Sequence, residues 1–254
     1  MTWNGLTVCS VGFSELTVLH SALLERANLV TLYGPMVSAY GVLPGFSRDA
    51  LLRALTSAEP LGVIDPEGPP ARTIVPGVAE GELVGGTVSL LSTLMGTPWE
   101  PDTRGKILLL EDVDEDPVRV DRYLSHLLVA GKLEQCAGIL LGQFLRCVPK
   151  EGKPLFVGPT LSVEEIFDYL IAPVGVPTMY GLPIGHDRNA LQCFVSHAVS
   201  YRRTDAVGHL QAKPNSADSL AVDEPGVGIV GRSNRRSVAR PHTRDQMAER
   251  RRAE

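Results

Sequence analysis

Short apolar runs alternate with amphipathic stretches along most of the chain, the rhythm of an α/β fold with a substantially parallel sheet. Leu6-Thr-Val-Cys-Ser-Val11 reads as a strand, and Glu15 to Ala27 carries Leu16, Leu19, Leu23 and Leu24 on one side, which predicts a helix. Leu29 to Tyr33 starts another strand, stopped by Gly34-Pro35. Gly81 to Leu91 contains Gly85-Gly86, the mark of a close backbone approach or a turn. Lys106 to Glu111 is continuously apolar before its final carboxylate, as expected of a strand buried on both faces. A helix follows over Pro117 to Ala130. Pro117 suits its first turn, the acids before it complement the positive helix end, and Gly131 suits its C-terminal cap. Ala137 to Gln143 predicts a short strand, and Pro177 to Tyr180 another. Ser162 to Leu170 predicts a helix with Ser162 as N-cap and Glu165 in the reciprocal capping position. The last predicted strand is Ser219 to Val222, and beyond Val227 nothing demands packing.

The stretch 60–78 is rich in Pro and Gly and is read as a linker or irregular crossover. It divides the chain into an N-terminal piece (1–59), a C-terminal domain (79–228) and a basic tail (229–254). The tail holds eight Arg against three acids from Gly231 onward, so the body is more acidic than the net charge of −5. It lacks any apolar period and is expected to be disordered and solvated. An acidic body argues against nucleic-acid binding, which needs concentrated positive charge on a folded face. With four Cys and no CxxC pair, a disulfide scaffold or structural zinc module is not expected. The start lacks the features of a signal peptide and no apolar run has membrane-spanning length, so the expected location is cytoplasmic, without membrane association. Metal, phosphate-loop and dinucleotide motifs are missing, and no cofactor is expected.

Three reactive side chains fall at the ends of predicted strands, the edge where open α/β sheets gather their sites. Ser14 lies in Val11-Gly-Phe-Ser14-Glu-Leu. A strand, sharp turn and helix would lift its oxygen clear of the sheet as a nucleophile, while the alternative is an ordinary helix N-cap. Glu111 closes the apolar run and could orient a His, although Asp112, Asp114, Glu115 and Asp116 follow at once and could form nothing more than an acidic turn. His186 lies in Tyr180-Gly-Leu-Pro-Ile-Gly-His186, a tight loop after a strand, where it could act as general base or be merely structural. His20 and His126 fall within predicted helices and read as surface or packed residues, and His197, His209 and His242 have less defined surroundings.

In order, Gly12-Phe-Ser14-Glu through His20, Tyr33-Gly-Pro-Met36, Gly81 to Gly86, Gly96-Thr-Pro98, Gly105 through Glu111-Asp112, Val118 to Arg122, and Gly181-Leu-Pro-Ile-Gly-His186 resemble the LD-carboxypeptidases. That serine peptidase family also includes the microcin C resistance peptidases. The resemblance implies a Ser14, Glu111 and His186 triad, with the backbone N–H of Glu15 as one oxyanion donor. It implies cleavage of an amide joining an L-centre to a terminal D-residue, chiefly in cytosolic murein tetrapeptides. The implied fold has a flavodoxin-like or amidotransferase-like N-terminal domain and a C-terminal swivelling β/α domain, usually in homodimers. The family pattern has about a hundred residues before its nucleophile turn, nearly a small domain's worth, so the chain reads as N-terminally truncated. Thr87 also stands where the family's G-G-N motif has Asn.

Overall fold

The computed structural model describes residues 10–56, 71–150 and 160–187, together with the backbone of short strands at 2–3, 6–7, 194–195, 199–202 and 209–211. The chain forms β1 (Val11–Gly12), α1 (Leu16–Ala27), β2 (Leu32–Tyr33) and α2 (Gly45–Thr56) before residue 57. After residue 70 come β3 (Arg72–Val75), β4 (Val78–Gly81), β5 (Leu83–Thr87), α3 (Val88–Leu94), β6 (Ile107–Val113), α4 (Pro117–Val129) and β7 (Gly138–Leu145). The described part closes with α5 (Val163–Ile166) and β8 (Thr178–Tyr180).

Local chemistry sets these boundaries. Asp116 opens α4 by accepting the Val118 N–H at 3.0 Å, with Pro117 in the first turn where a missing N–H costs nothing. Left-handed Gly131 closes it, its N–H reaching Leu128 O at 2.8 Å while Lys132 N–H reaches Leu127 O at 2.9 Å. Ser162 and Glu165 form the expected reciprocal cap of α5.

The main sheet has the order β3-β8-β7-β6-β5, with β5 to β8 parallel and β3 antiparallel at the edge. Strands that advance stepwise in one direction, joined by right-handed crossovers, place their helices on one face. Accordingly, Leu108, Leu110 and Leu141 pack with Leu91, Leu124 and Phe167 of the helical layer. Ile107, Leu109, Leu140 and Met179 face the other way, where Tyr33, Leu43, Ala50 and Leu51 of the N-terminal segment cover them. Burial of β6 on both faces therefore comes from two different layers. In the N-terminal segment β1 and β2 pair in parallel, and 194–195 pairs antiparallel with β2.

Several expectations change. Leu6 to Val11 is not one strand: Leu6–Thr7 pairs with Thr2–Trp3, and pairing to β2 begins only at Val11. The strand expected from Leu29 covers only Leu32–Tyr33. Within 60–78, residues 72–75 are strand rather than linker. The β-branched run Thr73-Ile74-Val75 pairs with β8, and Arg72 forks onto Asp168 at 2.7 and 3.1 Å. The helix expected to Leu170 is α-helical only to Ile166 and widens into a π turn over Phe167–Ile171, where Phe167 sits between the rings of Phe144 and Tyr180. The strand at 219–222 and the tail at 229–254 lie outside the described residues.

Gly85 and Gly86 are a close approach inside a strand. A Cβ on Gly85 would stand 2.0 Å from the Leu109 carbonyl oxygen, and its φ of +126° is disfavoured for any other residue. Gly85→Ala is therefore expected to destabilise the fold by on the order of 3 kcal/mol through strain and strand separation. Urea unfolding measures it, and an unchanged midpoint would contradict the close packing of β5 on β6.

Candidate active site

Ser14 sits between β1 and α1 with φ +58°, a left-handed conformation that costs a non-glycine residue about 1–3 kcal/mol. The preceding turn is tight, since a Cβ on Gly12 would stand 2.0 Å from Leu16 Cδ1. Thr17 N–H donates to Ser14 O at 2.8 Å, while the start of α1 has no side-chain cap. Ser14 is thus not an N-cap, and its backbone has the strained strand-to-helix form of a nucleophile elbow. The Glu15 carboxylate is held below its ordinary range, first by its own backbone N–H and then by the Ser14 hydroxyl.

Glu111 lies at the C-terminal end of β6, fully buried, on the face shared with Ile107 and Leu109. Its Oε2 is 2.8 Å from His186 Nδ1. Two glycines make room for this pair. A Cβ on Gly185 would stand 2.7 Å from Glu111 Oε2, and one on Gly142 would stand 2.4 Å from Ile184 O and 3.2 Å from Glu111 Cβ. The edge of the Phe13 ring packs on the imidazole at 5.0 Å. His186 Nε2 is buried without a hydrogen-bond partner, so the ring is bonded to the acid while the Ser14 hydroxyl is not bonded to the ring. Burial of His186 opposes its charged form. The Glu111 hydrogen bond and the charges of Glu111, Asp112 and Glu15 outweigh that effect, and its pKa is raised.

The other oxygen of Glu111 is also fully engaged. Oε1 accepts from Tyr33 Oη at 2.6 Å and from Thr87 Oγ1 at 2.7 Å, and the two hydroxyls lie 3.1 Å apart. Tyr33 Oη in turn accepts the Ser14 N–H at 3.2 Å. Sequence reasoning names both residues only as parts of family motifs and gives neither a role, because it searches for a nucleophile, an acid and a base. Tyr33 nonetheless ends a strand at the same sheet edge, a signal that could have found it. The neighbouring acids have separate partners: Asp112 accepts from Ser89 N–H at 2.8 Å, Asp114 binds Arg146 through two bonds of 2.6 Å, and Asp116 caps α4. Burial pushes Asp112 up to about 6. His20 is buried, which lowers its pKa to about 4, and Ser10 Oγ lies 3.4 Å from its Nε2. The side chains of His197, His209 and His242 lie outside the described residues.

Residues 80–200 match the LD-carboxypeptidase C-terminal domain. A probable murein peptide carboxypeptidase of Bacillus subtilis is 39% identical over 223 residues, which cover 85% of this chain and 62% of that relative. Residues 80–200 thus carry the LD-carboxypeptidase C-terminal domain. The murein tetrapeptide carboxypeptidase of Pseudomonas aeruginosa is 32% identical over 198 residues, covering 73% of this chain and 61% of its own. Among solved structures, the muramoyltetrapeptide carboxypeptidase of Oxalobacter formigenes superposes with a TM-score of 0.60 at 27% identity, covering 76% of this chain and 64% of that one. An MccF-like protein from Bacillus anthracis shares the fold, with a TM-score of 0.65 at 22% identity, covering 80% and 67%. The chain thus spans less than two thirds of the length of the Bacillus subtilis, Pseudomonas and Oxalobacter relatives. Among the described residues no helix is long and apolar enough to cross a membrane.

The raised His186 pKa fixes a sign. The paired imidazolium contributes stability that is fully present below the ordinary value of 6.5 and is lost as pH rises through the higher folded value. In Glu111→Gln, burial remains while the attracting charge is gone, so the His186 midpoint is expected to fall below 6.5. Titration of the imidazole by NMR checks this, and a midpoint still above 6.5 in the folded variant would refute the pairing.

Proposed function

We propose that this chain carries out serine-type LD-carboxypeptidase hydrolysis, with Ser14 as nucleophile, His186 as general base and Glu111 as the acid that orients the imidazole. The observation carrying the reading is the 2.8 Å contact between His186 Nδ1 and Glu111 Oε2. It holds the proton on Nδ1 and leaves Nε2 as the basic nitrogen, the tautomer that acyl transfer requires. In the reaction the Ser14 hydroxyl turns to His186 and gives its proton to Nε2 as Oγ attacks the scissile carbonyl. The Glu15 backbone N–H stabilises the developing oxyanion. His186 then passes the proton to the departing amine, and water releases the acyl group by the same route in reverse.

The substrate in this reading is a murein tetrapeptide losing its terminal D-alanine, in keeping with the names of the Bacillus and Pseudomonas relatives. A cytoplasmic location and a homodimer belong to the same proposal. A second reading, a catalytically impaired or partner-dependent subunit, is favoured by the missing bond between the Ser14 hydroxyl and His186.

The purified chain is expected to release D-alanine from a murein tetrapeptide, and Ser14→Ala is expected to lower that rate by about four orders of magnitude or more. Amino-acid analysis of the products measures release, and a fluorophosphonate probe reports the reactivity of Ser14. Release that survives Ser14→Ala removes Ser14 as nucleophile. A folded wild-type chain that neither releases D-alanine nor takes the probe supports the second reading.

A further inference from the structure

Glu111 is completely buried, yet among the described residues its only basic partner is an imidazole that exists in neutral and charged forms. A buried carboxylate with one donor would retain much of its desolvation penalty. Two hydroxyls from opposite sides of the sheet seam supply the rest. Tyr33 comes from the end of β2 in the N-terminal segment, and Thr87 from the end of β5 in the main sheet. Both donate to Oε1, at 2.6 and 2.7 Å, leaving Oε2 to His186. Since the Tyr33 proton goes to Glu111, its oxygen is free to accept, and it takes the Ser14 N–H at 3.2 Å. That N–H is therefore not available to an oxyanion. Gly86 keeps the arrangement compact: a Cβ there would stand 2.5 Å from Thr17 Oγ1 and 3.1 Å from Tyr33 Cε2. Thr17 Oγ1 accepts the Thr87 N–H at 3.1 Å, which ties the turn after Ser14 to the same strand end.

We infer that Tyr33 and Thr87 form a hydroxyl clamp that holds the Glu111 carboxylate against His186 and, through Tyr33, fixes the Ser14 elbow to the acid–base pair. Tyr33 is a positioning residue in this scheme, acting through Ser14 N–H and Glu111. The inference rests on the assignment of Ser14, Glu111 and His186 and adds the group that couples them. Burial foremost, with the Glu111 charge, raises the phenol's pKa well above its ordinary value, so Tyr33 remains a donor throughout the working range. Removing either hydroxyl concentrates negative charge on Glu111 and strengthens its hold on the imidazolium. The His186 midpoint should then rise. Among the described residues, charged groups that act on His186 include Glu111, Asp112 and Asp114 from β6 and the turn after it, and Glu15 from the start of α1. None of them is altered in the variants below.

The test uses the full chain with Tyr33→Phe, Thr87→Val and the conservative Thr87→Ser, each checked for folding by circular dichroism. Expected are an upward shift of the His186 NMR midpoint in Tyr33→Phe and in Thr87→Val, and a wild-type midpoint in Thr87→Ser. The kcat for D-alanine release should fall by about ten- to a hundred-fold in Tyr33→Phe with KM little changed, the range that loss of one hydrogen bond to a charged group converts to. The acid limb of the rate profile should move with the midpoint. The NMR arm needs no turnover: an inactive wild type would overturn the hydrolase assignment, while the titration still decides the clamp. If Tyr33→Phe does not fold, Thr87→Val and Thr87→Ser decide it. An unmoved or lowered midpoint in the folded variants overturns the proposal.

Discussion

The structure depends on how a negative charge is kept at the centre of a dry seam. Glu111 has no solvent exposure, and an ionised carboxylate moved out of water loses several kcal/mol of hydration that its neighbours must replace. Three donors do so: one imidazole N–H and two hydroxyls, spread over both oxygens. They come from the N-terminal segment, from β5 and from the loop after β8. The requirement to satisfy one buried group therefore fixes the relative placement of three distant parts of the chain.

The architecture around that charge follows from its handedness. The helices α3 to α5 lie on one side of β5 to β8, and the other side is apolar and must be covered. The segment containing β1, α1, β2 and α2 covers it and carries Ser14 and Tyr33 to the C-terminal strand ends. Glycines at 85, 86, 142 and 185 permit the approach by leaving no Cβ where backbone, the Glu111 carboxylate or the Thr17 and Tyr33 side chains must pass.

Much of this was legible in the residues. The continuous run Ile107 to Leu110 announced a strand buried on both sides, and Pro117, Gly131, Ser162 and Glu165 marked helix ends through local capping chemistry. Glu111 stood out from its acidic neighbours because it directly closes the apolar run, and the structure pairs it with His186. Less was legible where tertiary contacts decide. The strand at Arg72–Val75 was hidden by the Pro and Gly around it and is held by pairing to β8 and by the Arg72–Asp168 fork. The π turn at Phe167–Ile171 sits where ring packing overrides the helical repeat. Tyr33 and Thr87 escaped because a phenol and a threonine are everyday core residues, and only the partner of their oxygens distinguishes them.

Strain at Ser14 carries a further implication. A left-handed backbone at a non-glycine residue persists only while its surroundings insist on it, and here part of that insistence is the Tyr33 oxygen gripping the Ser14 amide. If the N-terminal layer slips from the sheet, that grip is released and the turn can relax toward an ordinary helix start. The bend at residue 14 is thus a spring latched by the docked layer, and it would relax with undocking well before the chain lost its overall form.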